Sequence, residues 1–130
     1  MLKVETQLAV FLDNRPGALA RVCQGLVKAH VNIVALAVLD TVDHAIIRMV
    51  VDKPKEAERV LQTLPAVVQV RDVIFLDVPN EVGALARIAE QLAEAGINLE
   101  YAYCAGSSSG SPGGLVLRTN DLEGTINALS

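Results

Sequence analysis

The stretch NRPGALARV at residues 14–22 decides the fold, because NEVGALARI at residues 80–88 repeats it 66 positions later. The same spacing relates Asn32 to Asn98, which lie beyond the alanine-rich part of the motif. Two alanine-rich helices could converge on similar sequences, but the matching asparagines lie outside the predicted helices. The pattern therefore indicates an internal repeat, which has to be recognised before the elements are assigned.

The first copy contains alternating apolar residues, typical of strands, and apolar residues three and four positions apart, typical of amphipathic helices. One continuous apolar run, 31–39, is typical of a buried strand. The copy predicts strands over 4–12, 31–39, 45–51 and 67–70, a turn over 40–43, and helices whose inner faces are Leu19, Val22, Cys23, Leu26 and Val27, then Ala57, Val60, Leu61 and Leu64.

The second copy predicts the same order up to its last helix. A flexible loop over 106–114 replaces the short turn of the first copy, and Asn120 or Asp121 caps the last helix. No residues remain for a fourth strand. The copy predicts strands over 73–78, 97–104 and 115–119, and helices whose inner faces are Leu85, Ile88, Ala89, Leu92 and Ala93, then Leu122, Ile126 and Leu129.

The order β-α-β-β-α-β predicts the α+β class, with two tandem ferredoxin-like units. Each unit places its helices on one face of an antiparallel sheet, and the last strand of the second unit is missing. We expect the first unit to span residues 1–71 and the second 72–130. Residues 66–78 contain neither Gly nor Pro, so the units are expected to be held rigidly, with a shared sheet or exchanged strands as a hypothesis.

Composition excludes several classes of function. The net charge is −4 and the basic residues are scattered, which argues against nucleic acid and acidic membranes as partners. No apolar run is long enough to span a bilayer, and the N-terminus lacks the features of a signal peptide. The two cysteines lack metal-ligand spacing, so we expect reduced thiols in the cytoplasm, with no metal and no cofactor.

The residues at the start of each first helix favour a binding site. Gly17 and Gly83 permit unusual backbone angles and close approach to a ligand. The first amides of a helix have no acceptor within the helix and favour an anion such as a carboxylate. Asn14 and Asn80 add donor and acceptor atoms. A purely structural explanation stays open, in which these asparagines cap the helices and the later pair, Asn32 and Asn98, ends them.

Both repeats, each followed by an asparagine at the start of the next strand, resemble the signature of the ACT domain. The resemblance covers nearly the whole chain as two consecutive units. In this arrangement the chain is similar to small stand-alone tandem ACT proteins of bacteria. It implies side-by-side pairing of units and a free amino acid bound at their interface. We expect a homodimer, although the two units of one chain could also pair with each other. The ligand-binding residues that it implies are Asp13, Asn14, Arg15, Pro16, Gly17, Ala18, Leu19, Asn32 and Ile33 in the first copy, and Asn80, Glu81, Val82, Gly83, Ala84, Leu85, Asn98 and Leu99 in the second.

Two departures make the copies unequal. Glu81 replaces Arg15 and Val82 replaces Pro16, so the loops differ in charge and stiffness, and the first is better matched to ligand binding. The missing last strand leaves an edge open for a partner chain.

The function that we expect is an amino-acid-binding regulatory sensor and not an enzyme, because the sequence contains no catalytic constellation. An alternative is a non-catalytic regulatory subunit that binds a metabolic enzyme, since the first copy also resembles the ACT unit of acetolactate synthase small subunits. His30 and His44 have no motif around them and are expected to be exposed or at helix ends. Cys23 falls on the predicted inner face of a helix, where core packing is the better explanation.

Overall fold

A computed structural model of the chain describes residues 2–105 and 113–130. The predicted loop 106–114 lies outside the described residues, except for Gly113 and Gly114, which begin the sixth strand. The elements are β1 (Leu2–Asp13), α1 (Ala18–Lys28), β2 (Ile33–Asp40), β3 (His44–Val51), α2 (Pro54–Leu61), β4 (Val67–Val78), α3 (Ala84–Glu94), β5 (Leu99–Ala105), β6 (Gly113–Thr119) and α4 (Leu122–Leu129).

The described chain forms two compact units, and two long strands each contribute to both. Unit one consists of residues 6–71, and unit two combines residues 2–5 with the described residues from 72 onward. The predicted strands 67–70 and 73–78 are one 12-residue strand, β4. Residues 2–5, which the sequence division assigned to the first unit, are the beginning of β1 and pack with unit two.

In unit one, β3 pairs antiparallel with β1 on one side and with β2 on the other. Alternate residues of β1 point to the helices, so Leu8, Val10 and Leu12 enter the same core as Val22 and Leu26 of α1. The helices α1 and α2 approach closely, since a Cβ atom added at Gly25 would lie 2.9 Å from Val60 Cγ1. Ala18, the first residue of α1, packs against the same core as Leu12 near the end of β1.

In unit two, β6 pairs antiparallel with β4 and β5. Its core contains Ile88 and Leu92 of α3, and Leu2 from the beginning of β1 packs against it. The Lys3 ammonium lies 5.3 Å from the centroid of the Phe75 ring. Asp121 caps α4 by accepting a hydrogen bond from the Gly124 amide at 2.9 Å, and the predicted inner face of α4 packs on the core.

The architecture confirms the predicted fold class. Each unit has the α+β order of the ferredoxin-like fold, and among the described residues no strand follows α4. Among the described helices, none is long and apolar enough to cross a membrane.

Two predictions about burial are wrong. The run 31–39 contains strand β2, but Val34, Leu36, Val38 and Leu39 are 40–47% exposed. Val34, Leu36 and Val38 alternate along the strand with Ile33 and Ala35, which are partly or fully buried, so they lie on the face of β2 that points away from the helices. The helix stripes are also narrower than expected: Leu19, Val27 and Leu85 are 41%, 71% and 53% exposed, because only one edge of each apolar stripe faces the core.

Candidate functional site

The loops between β1 and α1 and between β4 and α3 each contain a glycine in the same left-handed backbone conformation. Gly17 and Gly83 each stand immediately before the helix, with φ of 85° and 87°. This left-handed region disfavours residues with a Cβ atom. Neither helix receives a side-chain cap at its N-terminus, so the explanation in which Asn14 and Asn80 cap the helices is wrong.

The amides at the start of α1 are only partly satisfied. The Ala18 amide donates to the Arg15 carbonyl at 3.3 Å, and the Arg21 amide donates to the Gly17 carbonyl at 3.0 Å. Between them, the amides of Leu19 and Ala20 have no acceptor in the part of the chain that the structure describes. Two adjacent unbonded amides at a positive helix end can bind an anion.

The start of α3 repeats this pattern. The Ala84 amide donates to the Glu81 carbonyl at 3.3 Å, and the Arg87 amide donates to the Gly83 carbonyl at 3.0 Å. The following two amides, of Leu85 and Ala86, lack an acceptor among residues 2–105 and 113–130. The backbone therefore presents the same pair of donors twice.

Asn14 ties the first loop to the β2–β3 turn. Its amide Nδ2 donates to the Thr41 carbonyl at 3.3 Å, and its backbone amide donates to the Asp43 carbonyl at 3.1 Å. The side chain thus holds the loop in place, and its Nδ2 already donates one hydrogen bond within the protein.

The second pair of asparagines lies just before β2 and β5. The Asn32 amide donates to Asp52 Oδ1 at 2.9 Å, and the Asn98 amide donates to Asn120 Oδ1 at 3.1 Å. Each asparagine carbonyl accepts the backbone amide of the same partner, at 3.1 Å and 3.4 Å. Their side chains are exposed.

These asparagines do not end the helices. The helices end earlier, at left-handed residues His30 (φ 56°) and Gly96 (φ 72°). The Val31 and Ile97 amides then donate to the Leu26 and Leu92 carbonyls, each at 2.9 Å. That is the bonding of a Schellman helix end, so the expectation of a helix-end position for His30 is confirmed.

A small cavity of about 70 Å³ lies beside the first loop. Five of the predicted binding residues line it: Asp13, Arg15, Pro16, Gly17 and Ala18. Arg21, which is not among the predicted residues, lines it as well. Asn14, Leu19, Asn32 and Ile33 lie outside its lining. The signal that could have found Arg21 is its place in the repeated motif, where Arg87 matches it.

A larger cavity of about 310 Å³ lies beside the second loop. Asn80, Glu81, Ala84 and Leu85 line it, together with the end of β5 and the beginning of β6. Val82, Gly83, Asn98 and Leu99 lie outside its lining. Its volume is within the range of small-molecule sites, which begins at about 300 Å³.

Charge distinguishes the two loops. Arg87 Nη2 pairs with Glu81 Oε1 at 2.7 Å, and both side chains are 56% exposed. At the matching positions of the first loop stand Arg15 and Arg21, which have no ion-pair or hydrogen-bond partner for their side chains within the described ranges. The first loop therefore offers two cations that form no ion pair, in a cavity that Asp13 also lines, and the second offers a neutralised pair.

Other reactive groups form no site. Cys23 is partly buried and Cys104 is exposed, and both are free thiols. Over the described residues, no group of three or more His, Cys, Asp or Glu side chains could hold a metal ion.

The chain belongs to the ACT family, since a sequence model described as an ACT domain pair matches residues 3–129. ACT domains are regulatory ligand-binding domains, and the tandem ferredoxin-like repeat follows from the same match. No curated protein sequence matches the chain significantly.

Solved structures agree with this assignment. Protein BT0572 from Bacteroides thetaiotaomicron is 30% identical, with a TM-score of 0.90, over 98% of this chain and 88% of that one. The ligand-free regulatory subunit of aspartate kinase from Thermus thermophilus is 15% identical, with a TM-score of 0.70, over 99% and 93%. The corresponding subunit from Thermus flavus is 17% identical, with a TM-score of 0.61, over 99% and 93%. The last two show a common fold.

Proposed function

We propose that this chain is a non-catalytic regulatory protein of the cytoplasm that binds a free amino acid at the two glycine loops. The observation that carries the proposal is the pair of unbonded amides, Leu19 and Ala20, beside the unpaired cations Arg15 and Arg21. An α-carboxylate would accept from these amides at the positive end of α1.

The two loops would bind unequally. The first loop combines the amide pair with two free guanidinium groups, which attract an anion and can donate two parallel hydrogen bonds to it. The second loop has the same amides, but Glu81 already neutralises Arg87. We therefore propose that the first loop binds the carboxylate more tightly, although the opening beside the second loop is larger.

The remaining predicted residues have supporting roles in this proposal. Asn14 keeps the first loop against the β2–β3 turn. Asn32 and Asn98, whose backbones are fixed by Asp52 and Asn120, present exposed side chains that can meet the polar atoms of a ligand. Ile33 and Leu99 come directly after these two asparagines and are the first residues of β2 and β5.

A thermal-shift screen of the twenty amino acids at millimolar concentration tests the proposal, because a ligand that binds only the folded chain raises its melting temperature. Calorimetric titration of the stabilising amino acid should then give weaker binding for R15Q/R21Q. The matched control is K55Q/R71Q, which also removes two positive charges but lies outside both loops. Failure of all twenty amino acids to stabilise the protein would contradict the proposal.

A second candidate function, regulation of a partner enzyme, is favoured by the exposed aliphatic side chains of β2. Leu36 and Val38 are 40% and 47% exposed, and exposed apolar surface is typical of interaction sites. A tagged chain should recover one metabolic enzyme in stoichiometric amount and change its activity, whereas L36T/V38T should not. Equal recovery with both chains would count against this candidate.

A further inference from the structure

The helices of the two units carry opposite charge. The helices α1 and α2 of unit one contain four basic and two acidic side chains, whereas α3 and α4 of unit two contain one basic and three acidic side chains. The one basic residue of these unit-two helices, Arg87, is paired with Glu81. The internal repeat has therefore kept the helices and reversed their charge.

The basic residues of unit one border a single open groove between α1 and α2. The groove has a volume of about 520 Å³, and Arg21, Lys28 and Arg59 line it with Gln24 and Thr63. These three cations, called the basic face, have no ion-pair partner in the described part of the chain. No acidic side chain lines the groove, so its charge is uncompensated.

The matching positions in unit two are acidic. Glu90 stands where unit one has Gln24, and Glu94 stands where it has Lys28. Both glutamates line an open groove of about 400 Å³ beside α3, and neither has an ion-pair partner among residues 2–105 and 113–130. We call Glu90 and Glu94 the acidic face.

The position of Glu94 is unfavourable for the helix that carries it. It is the last residue of α3, whose last turn contains no basic side chain, while α1 ends in Lys28. A negative charge at a helix C-terminus opposes the helix dipole. An unpaired acid in this position is therefore better explained by something that it meets outside its own helix.

We propose that the basic face of one chain binds the acidic face of a second copy. The two faces have opposite, uncompensated charge, and each borders a groove with aliphatic side chains, Val60 and Leu64 in one and Leu76 and Val78 in the other. Exposed ion pairs contribute little individually, so the association is expected to be moderate in affinity and sensitive to salt. Arg21 also lines the cavity beside the first loop, whereas Lys28 and Arg59 do not, so variants of Lys28 and Arg59 test this proposal separately from amino-acid binding.

Sedimentation velocity over a range of protein concentrations tests the proposal. The unmodified chain should associate at low salt and dissociate as salt is raised. The variants K28E/R59E and E90K/E94K should each associate on the order of tenfold more weakly. An equimolar mixture of the two should recover an association of the unmodified strength, because one variant has two acidic faces and the other has two basic faces.

Two controls keep the outcome clear. The variant E90K/E94K should melt no lower than the unmodified chain, since it places a cation at the end of α3, so lost association would not reflect unfolding. The variant D40K, which changes an exposed charge at the end of β2, should leave association unchanged. A chain that stays monomeric at low salt, or an association that both double variants leave intact, would overturn the proposal.

Discussion

Gly17 in the first loop and Gly83 in the second have φ angles of 85° and 87°, and the hydrogen bonds at the start of the two helices have the same lengths, 3.3 Å and 3.0 Å. The side chains around these glycines differ. Arg15 and Arg21 are unpaired within the described chain, whereas Glu81 and Arg87 are joined at 2.7 Å. The repeat has therefore preserved an arrangement of backbone donors while changing the charge that an incoming anion meets.

The comparison separates two properties of the site. The presence of an anion-accepting helix end depends on glycine and on the backbone, so it is common to both units. The strength of binding depends on the charges at Arg15 and Arg21 in the first unit and at Glu81 and Arg87 in the second. It is therefore expected to differ between the units. Variants that disturb the left-handed glycine conformation should act equally in the two units, and variants that change charge should act unequally.

The largest expected effect comes from a β-branched residue at either glycine. G17V and G83V should each lower the free energy of unfolding by about 2 kcal/mol, because the left-handed conformation costs an L-residue 1–2 kcal/mol and a β-branched one more. Urea denaturation measures the loss, and A20V is a control that should cost only about 0.6 kcal/mol of helix propensity. A large difference between the two glycine variants would show that the loops are not equivalent.

Exchanging the charge of the loops is expected to change ligand affinity by about tenfold, or about 1.4 kcal/mol. R15E should weaken carboxylate binding at the first loop by this factor, and E81R should strengthen binding at the second. Calorimetric titration with the amino acid that stabilises the chain measures both. The control K55E, which lies outside both loops, should bind as tightly as the unmodified chain. If R15E also binds as tightly, the charge difference between the loops has no effect on affinity.

A smaller difference is expected where the two units fix the chain before β2 and β5. D52A should lower the free energy of unfolding by about 1.5 kcal/mol and N120A by about 1 kcal/mol, because a hydrogen bond to a carboxylate is stronger than one to a carboxamide. Denaturation of D52N provides the matched control, since it gives unit one the acceptor of unit two and should behave as a mild variant. If D52A and D52N lower the free energy of unfolding equally, the hydrogen bond from the Asn32 amide does not owe its strength to the Asp52 carboxylate.

The smallest expected effect concerns the helix ends. His30 occupies a left-handed position that Gly96 occupies in unit two, so H30G should stabilise the chain by about 0.5 kcal/mol, the relief of strain less the entropy of glycine. Thermal denaturation of H30G and of the reciprocal G96H should give shifts of opposite sign. A lower melting temperature for H30G would show that the His30 side chain makes a contact that outweighs the strain.

The repeat, the order of elements and the glycine loops could be predicted from the sequence, because they depend on local periodicity and on residues with special conformations. The exposure of one face of β2 could not be predicted, since a continuous apolar run does not indicate whether one or both faces of the strand are covered. Gly17 and not Asn14 stands at the N-cap because the left-handed turn at the glycine sets where α1 begins, and the Asn14 side chain is bonded to the Thr41 carbonyl.

Other features depend on contacts between residues far apart in the sequence. Residues 2–5 continue the apolar pattern of β1, so nothing local indicates that they pack with unit two. The pairing of Glu81 with Arg87, and the absence of such a pairing for Arg15 within the described chain, follow from the folded loop. The sequence predicts the difference in charge between Arg15 and Glu81, but the neutralisation of Arg87 depends on how the loop folds.

A titration followed by ¹H–¹⁵N NMR tests the central claim most directly, because it observes the proposed donors themselves. Addition of the stabilising amino acid should shift the amide signals of Leu19 and Ala20 until they saturate, and those of Leu85 and Ala86 should saturate only at higher concentration. If the protein is stabilised by the amino acid while the Leu19 and Ala20 amides show no saturable shift, the ligand binds elsewhere and the account of the glycine loops is wrong.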